Sequence, residues 1–151
     1  MKQRLDISYE HYDSFNELGA ADRALIEEAE AATATANARY SNFRVGAAVR
    51  LRSGRTLHAS NFESEVYPAG LCAERSLLFY VEANYGDDVI EALAIASNPS
   101  ERECYPCGQC RQVIVDVERR QQSPIRVIMS GAGTATVVDS AEKLLPFTFK
   151  L

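Results

Sequence analysis

Cys72-Ala73-Glu74-Arg75 and Pro106-Cys107-Gly108-Gln109-Cys110 are the two stretches on which the reading of this chain turns. Between them they offer three thiols and one separate carboxylate. A structural zinc takes four protein ligands, whereas a catalytic zinc takes three and keeps one position for water. Three cysteines beside an acid that stays off the metal are what a zinc hydrolase needs if the acid is to move the water's protons. Cys72, Cys107 and Cys110 are therefore the candidate metal ligands, Glu74 the candidate proton carrier and Zn²⁺ the expected cofactor.

Each motif follows a loop and opens a helix, expected over about Cys72 to Asn84 and about Cys107 to Arg120. Cys107 and Cys110 are three residues apart and so share one face of a helical turn. Pro106 suits the start of that turn, where its missing N–H has no helical partner to lose. Free N–H groups and a partial positive charge at helix N-termini favour thiolate over thiol, so two helix starts meeting at one metal help hold three anionic sulfurs. Zn²⁺ with three thiolates carries net −1, which blunts its power to acidify water. Arg75 can offset this by donating to a ligand sulfur.

Outward from the motifs, Phe43 to Leu51 reads as a strand, Arg52-Ser53-Gly54-Arg55 as a turn, and the return through Ala59 as a second strand. Ile90 to Ser97 is almost wholly apolar, as in a central strand covered on both faces. Ile125 to Ser130 and Thr134 to Asp139 make two more strands around Gly131-Ala132-Gly133. Ala21 to Asn37 is an Ala- and Glu-rich helix, and a short helical turn begins at Ala141. Leu5 to Tyr12 alternates apolar and polar, so residues 1–15 form an extended arm or an edge strand. Strands alternating with helices predict a three-layer α/β/α fold with a mixed five-stranded sheet, one domain over residues 1–151.

Composition narrows the function classes. The 151 residues carry a net charge of −5, with 46% hydrophobic and 25% charged residues. No cluster of Lys or Arg offers the face a nucleic-acid polymer needs, and Arg119-Arg120 fits the last turn of a helix. No apolar run approaches the roughly 20 residues of a membrane span, and the N-terminus has no secretory apolar core. Three of the four cysteines fall between positions 104 and 110, a spacing for metal rather than disulfides, so a cytoplasmic protein is expected.

The arrangement matches zinc deaminases, which pair a His/Cys/Cys or three-cysteine zinc with a Glu that is not a ligand. From about Tyr40 to Phe149 the chain resembles the small homotetrameric cytidine deaminases. Tyr40-Ser41-Asn42-Phe43-Arg44-Val45-Gly46-Ala47-Ala48 is similar to that family's first-strand motif, and Asn61-Phe62-Glu63 to its Asn-x-Glu nucleoside motif. Cys72-Ala73-Glu74-Arg75 and Pro106 to Val113 match its zinc motifs, and Leu144-Leu145-Pro146 with Phe149 resembles its C-terminal segment. The resemblance implies hydrolytic deamination of cytidine and 2′-deoxycytidine in pyrimidine salvage, by attack of water at C4 and loss of ammonia. It also implies that Asn61 and Glu63 hold the ribose 3′-hydroxyl and that Phe43 lines the base pocket. The backbone at Cys72 and Ala73 would meet the base, and Glu74 would contact its ring nitrogen. Phe149 would reach the base in a neighbouring subunit of a homotetramer with shared sites, near contacts supplied by Tyr67. The chain departs from the family's Asn-x-Glu-Asn-Ala by placing Ser64-Glu65 after Glu63, and only two residues follow Phe149.

Three other readings stand beside this one. Cys104-x₂-Cys107-x₂-Cys110 would suit a closed four-cysteine structural zinc, although such a site has no use for Glu74, and Cys104 otherwise reads as a loop thiol. The Ser64-Glu65 change would suit a deaminase of a modified cytosine nucleoside such as blasticidin S. A zinc-stabilised module that binds nucleosides without turning them over would not need Glu74. His11 and His58, the two histidines, read as structural or surface groups.

Overall fold

The computed structural model describes residues 1–151. Its strands are β1 (Glu10–Tyr12), β2 (Arg44–Leu51), β3 (Thr56–Ser60), β4 (Ile90–Asn98), β5 (Arg126–Gly131) and β6 (Thr134–Val138). They form one sheet in the order β1-β6-β5-β4-β2-β3, in which β4 and β5 are parallel and every other pair is antiparallel. The helices are α1 (Ala20–Ala32), α2 (Ala73–Tyr85) and α3 (Gly108–Gln121). The apolar run at Ile90 lies at the centre, as its lack of alternation requires.

The period-two alternation of side chains sorts that central strand's residues onto two different faces. Leu93 and Ile95, with Ala47 and Val49 of β2 and Val127 of β5, pack under Leu77, Leu78 and Val81 of α2 and Ile114 and Val115 of α3. Ala92, Ala94 and Ala96, with Ala48 and Ile128, meet Leu25, Ile26 and Ala29 of α1. Bulky residues on one face and alanines on the other set two spacings, so α1 comes close to the sheet. A Cβ on Gly46 would collide with the carbonyl of Ala29, which makes glycine obligatory there. On the deeper face, truncating Ile95 to Ala would cost about 2–5 kcal/mol.

Three expectations are corrected. The sheet has six strands, not five: Glu10, His11 and Tyr12 pair with Val137, Thr136 and Ala135. This edge strand is only three residues long, and its register depends on a partner more than 120 positions away, which local alternation does not reveal. Pro106 lies outside α3, because Cys107 is the N-cap and Gly108 the first helical residue. The first helix also ends early, at Ala32, where the Thr33 and Thr35 hydroxyls donate to the carbonyls of Glu30 and Ala32 and a 3-10 turn takes over. No helix is long and apolar enough to cross a membrane.

Candidate active site

α2 and α3 lie on the same face of the sheet and begin side by side. Cys72 and Cys107 occupy equivalent places, each the N-cap of its helix with extended backbone and no side-chain cap bond. Neither sulfur is spent on its own helix, and both helix N-termini point their unpaired N–H groups toward the same region. Cys110, in the first turn of α3, is buried. The three sulfurs lie within 4.8 Å of one another, with Cys72 and Cys107 3.7 Å apart. Sulfurs on a tetrahedral zinc at 2.3 Å would sit about 3.8 Å apart, so the three fit that ion. Cys104 is outside the group and packs against the large core, and burial pushes its thiol up to about 12.

The electrostatics favour a bound cation. Cys72 is lowered to about 5, chiefly because the Cys110 thiol donates to it, with Arg75 and Cys107 adding to the effect. Cys110 is correspondingly pushed up and keeps the shared proton, which an incoming metal would displace. Arg75 Nη2 donates to Cys72 Sγ at 3.5 Å, and that thiolate raises the guanidinium's own affinity for its proton. Arg75 Nε is buried without a partner. The side chain is thus held by the charge of the cluster at the expense of its own hydrogen bonding.

Glu74, in the first turn of α2, is 3% exposed, and its Oε2 lies 3.7 Å from Cys110 Sγ. Desolvation raises its carboxyl to about 7. A carboxyl poised near neutrality can both take and return a proton, the property a general acid–base requires.

Two clefts flank the cluster. The first, of about 470 Å³, is lined by Tyr40, Asn61, Glu63, Tyr67, Cys72 and Arg75 among others. The second carries Phe43, Ser97, Cys104 and Tyr105. Asn61 joins them: its Oδ1 accepts from Val45 N at 2.8 Å and its Nδ2 donates to the Phe43 carbonyl at 3.1 Å. Its amide therefore braces the entry to β2 and keeps one further N–H to offer. Glu63 Oε1 accepts from the Ser41 amide at 2.9 Å, the Ser41 hydroxyl at 2.9 Å and the Tyr40 amide at 3.3 Å. These bonds, led by the Ser41 backbone, hold its carboxyl below the usual range.

Ser41 and Tyr40 are contributors that the residue-by-residue reading passed over. Both lie in the Tyr40-Ser41-Asn42 turn, where Asn42 has φ +57°, and an Asn two residues after a Tyr was the available signal. The Tyr40 ring meets Tyr67 edge-on at 6.3 Å. Ser64 joins the lining of the first cleft, but Glu65 does not, because it pairs with Arg39 at 3.3 Å. Phe149 lines neither cleft of its own chain. Its ring is 66% exposed, and its carbonyl rests against α3. His11 and His58 lie apart from the cysteines, on Thr136 and Glu28.

Comparison with known proteins agrees with this arrangement. The sequence model of the cytidine and deoxycytidylate deaminase zinc-binding region matches residues 20–123. A cytidine deaminase of Sporosarcina psychrophila is 34% identical over 125 residues, covering 83% of this chain and 88% of its own. One from Halalkalibacterium halodurans is 38% identical over 93 residues, covering 62% and 69% respectively. The crystal structure of cytidine deaminase from Burkholderia pseudomallei superposes with a TM-score of 0.74 at 36% identity, covering 87% of this chain and all of that one.

Proposed function

The chain belongs to the cytidine and deoxycytidylate deaminase family, and from that premise we propose that it deaminates cytidine and 2′-deoxycytidine to the corresponding uridines in pyrimidine salvage. The observation that carries this reading is a buried carboxyl, Glu74, raised toward neutrality beside three clustered sulfurs. Cys72, Cys107 and Cys110 would hold the zinc. Bound there, zinc supplies a water acidified enough to be deprotonated at neutral pH. Glu74 takes that proton and hands it to the ring nitrogen N3 of cytosine. It then takes the second proton and delivers it to the departing amine, so that water in and ammonia out balance. Glu63 spends Oε1 on the Tyr40-Ser41 turn, while Oε2 takes only a longer 3.4 Å bond from the Ser41 amide and keeps lone-pair capacity for a ribose hydroxyl, with Asn61's remaining N–H beside it. Phe43 would flank the base, and the backbone at Ala73, the residue after the α2 cap, would face it.

The same reading makes the protein a single domain over residues 1–151 that assembles as a cytoplasmic homotetramer, its sites shared between neighbours. Its support is the exposure of Tyr67 and Phe149, at 81% and 66%, two aromatic groups that a lone chain leaves in water. The ion pair between Glu65 and Arg39 favours ordinary nucleosides over a modified one, since it occupies the carboxylate that departs from the family motif.

Ammonia release from cytidine, deoxycytidine, blasticidin S and cytosine tests this reading. Turnover is expected on the first two, falling by about 10² to 10⁴ in Glu74→Ala, the range for losing a general acid–base group. Equal activity of the variant and the wild type, or turnover of blasticidin S alone, would overturn it.

A further inference from the structure

Beyond β6 the chain joins no strand, yet the segment from Ser140 to Phe149 is held along its length by one helix. The chief holder is Glu118, a carboxylate 6% exposed near the end of α3. Its Oε2 accepts from the amides of Ile125 and Ala141, each at 2.7 Å. Its Oε1 accepts from the Ser140 hydroxyl at 2.6 Å and the Glu142 amide at 3.4 Å. It forms no ion pair. A buried charge without a counter-ion is costly unless donors surround it, and here four converge on two oxygens. Three of the four come from Ser140, Ala141 and Glu142, the start of the tail.

Other α3 side chains continue the hold. Arg119 Nε pairs with Glu142 Oε1 at 2.8 Å, and Arg111 Nη1 donates to the Leu144 carbonyl at 3.0 Å. Gln112 Nε2 and Arg119 Nη1 approach the Phe149 carbonyl, each at 3.4 Å. The helix that begins at Cys107 and carries Cys110 therefore also fixes where the tail leaves the domain. We infer that Glu118 is a positioning residue for the shared nucleoside site. By anchoring Ser140 to Glu142 it sets the course along which Phe149 is presented to the neighbouring subunit. This rests on the reading that Phe149 completes a neighbour's site.

Glu118→Gln keeps the shape but turns an NH₂ group toward two of the four donors, so one oxygen's worth of anchoring is lost. Ser140→Ala removes a single donor and is the milder perturbation. A double-mutant cycle with Phe149→Ala reads the effect through the tail. Phe149→Ala should raise KM for cytidine, and Glu118→Gln should raise it on the order of tenfold, the scale of a lost apolar pocket contact. In both, kcat and zinc content should stay near wild type. In the Phe149→Ala background, Glu118→Gln and Ser140→Ala should add nothing further to KM. If Phe149→Ala leaves KM unchanged, the shared-site reading fails and takes this one with it. If Phe149→Ala raises KM while Glu118→Gln and Ser140→Ala match wild type, only the role of Glu118 fails. It fails equally if the Glu118→Gln effect persists in full without Phe149, or appears as lost zinc and lowered kcat. Should Glu118→Gln not fold, Ser140→Ala in the same cycle decides between these outcomes.

Discussion

Arg75→Gln isolates what the guanidinium does for the sulfur cluster. Its Nη2 donates to Cys72 Sγ at 3.5 Å, and it is the one basic group among the causes that lower Cys72. A hydrogen bond to a charged group contributes about 1.5–3 kcal/mol. The contact is a sulfur hydrogen bond of ordinary length and only part-buried, so the lower half of that range applies. At 1.36 kcal/mol per decade, about 1.5–2.2 kcal/mol is about tenfold to fortyfold. Without the guanidinium, Cys72 carries more charge toward zinc and the water becomes less acidic, so the loss should fall on kcat. Glutamine retains the length and polarity of the site but supplies no charge. The assay is steady-state deamination of cytidine followed by its absorbance change, with zinc per chain measured by elemental analysis and its loss timed against a chelator. The expected result is a kcat lower by about tenfold to fortyfold, little change in KM, near-stoichiometric zinc and faster loss to chelator, with partial recovery in Arg75→Lys. Unchanged kcat together with unchanged zinc retention would refute the charge-balancing argument. A fall in KM-normalised activity accompanied by a lowered melting temperature would show that Arg75 is a packing residue instead.

Two further outcomes follow from the same site. Cys104→Ser should keep full zinc content while Cys72→Ser loses most of it. Because burial pushes Cys104 to about 12, that thiol should resist alkylation at pH 8 in the folded protein; zinc loss in Cys104→Ser would restore the four-cysteine site. Glu63 is held below its ordinary value of 4.5 by the Ser41 bonds, so it stays charged above that value and the order it confers is lost only as pH falls through its lowered folded pKa. Any part of the pH dependence of KM that disappears in Glu63→Gln should therefore lie below 4.5, and a Glu63-dependent rise in KM centred at or above 4.5 would mean that Glu63 is not held in this way.

What could be read from the sequence was whatever covalent spacing fixes. A spacing of three between Cys107 and Cys110 puts both on one helical turn, and the almost wholly apolar run at Ile90 marks a central strand. The extent of β4, the turn at Gly54 and the openings of α2 and α3 lie within a residue or two of their expected places. What escaped depends on partners far away in the chain. Alternation from Leu5 to Tyr12 leaves an arm and an edge strand both open, and only pairing with Val137, Thr136 and Ala135 selects the strand and confines it to three residues. Glu118 is buried because Ile125 and Ala141 fold back over it and donate their amides to its carboxylate. Nothing in the local sequence marks a carboxylate whose donors are supplied by two other segments.

Asn61 sharpens the same point at the site itself. Resemblance assigns it to the sugar, but its side chain already bonds Val45 N and the Phe43 carbonyl and so ties the two clefts together. An Asn61 substitution therefore acts on the base side through Phe43 as well as on the sugar side, whereas the Glu63 carboxylate is anchored to the Tyr40-Ser41 turn alone. The unusual Ser64-Glu65 pair fits this division of labour. Ser64 Oγ accepts from Val66 N at 3.0 Å and Glu65 faces Arg39, so both departures are absorbed within the loop that carries Glu63. The added negative charge is offset where it arises. The acceptor that Glu63 offers to a nucleoside is thereby left as its bonds to Ser41 set it.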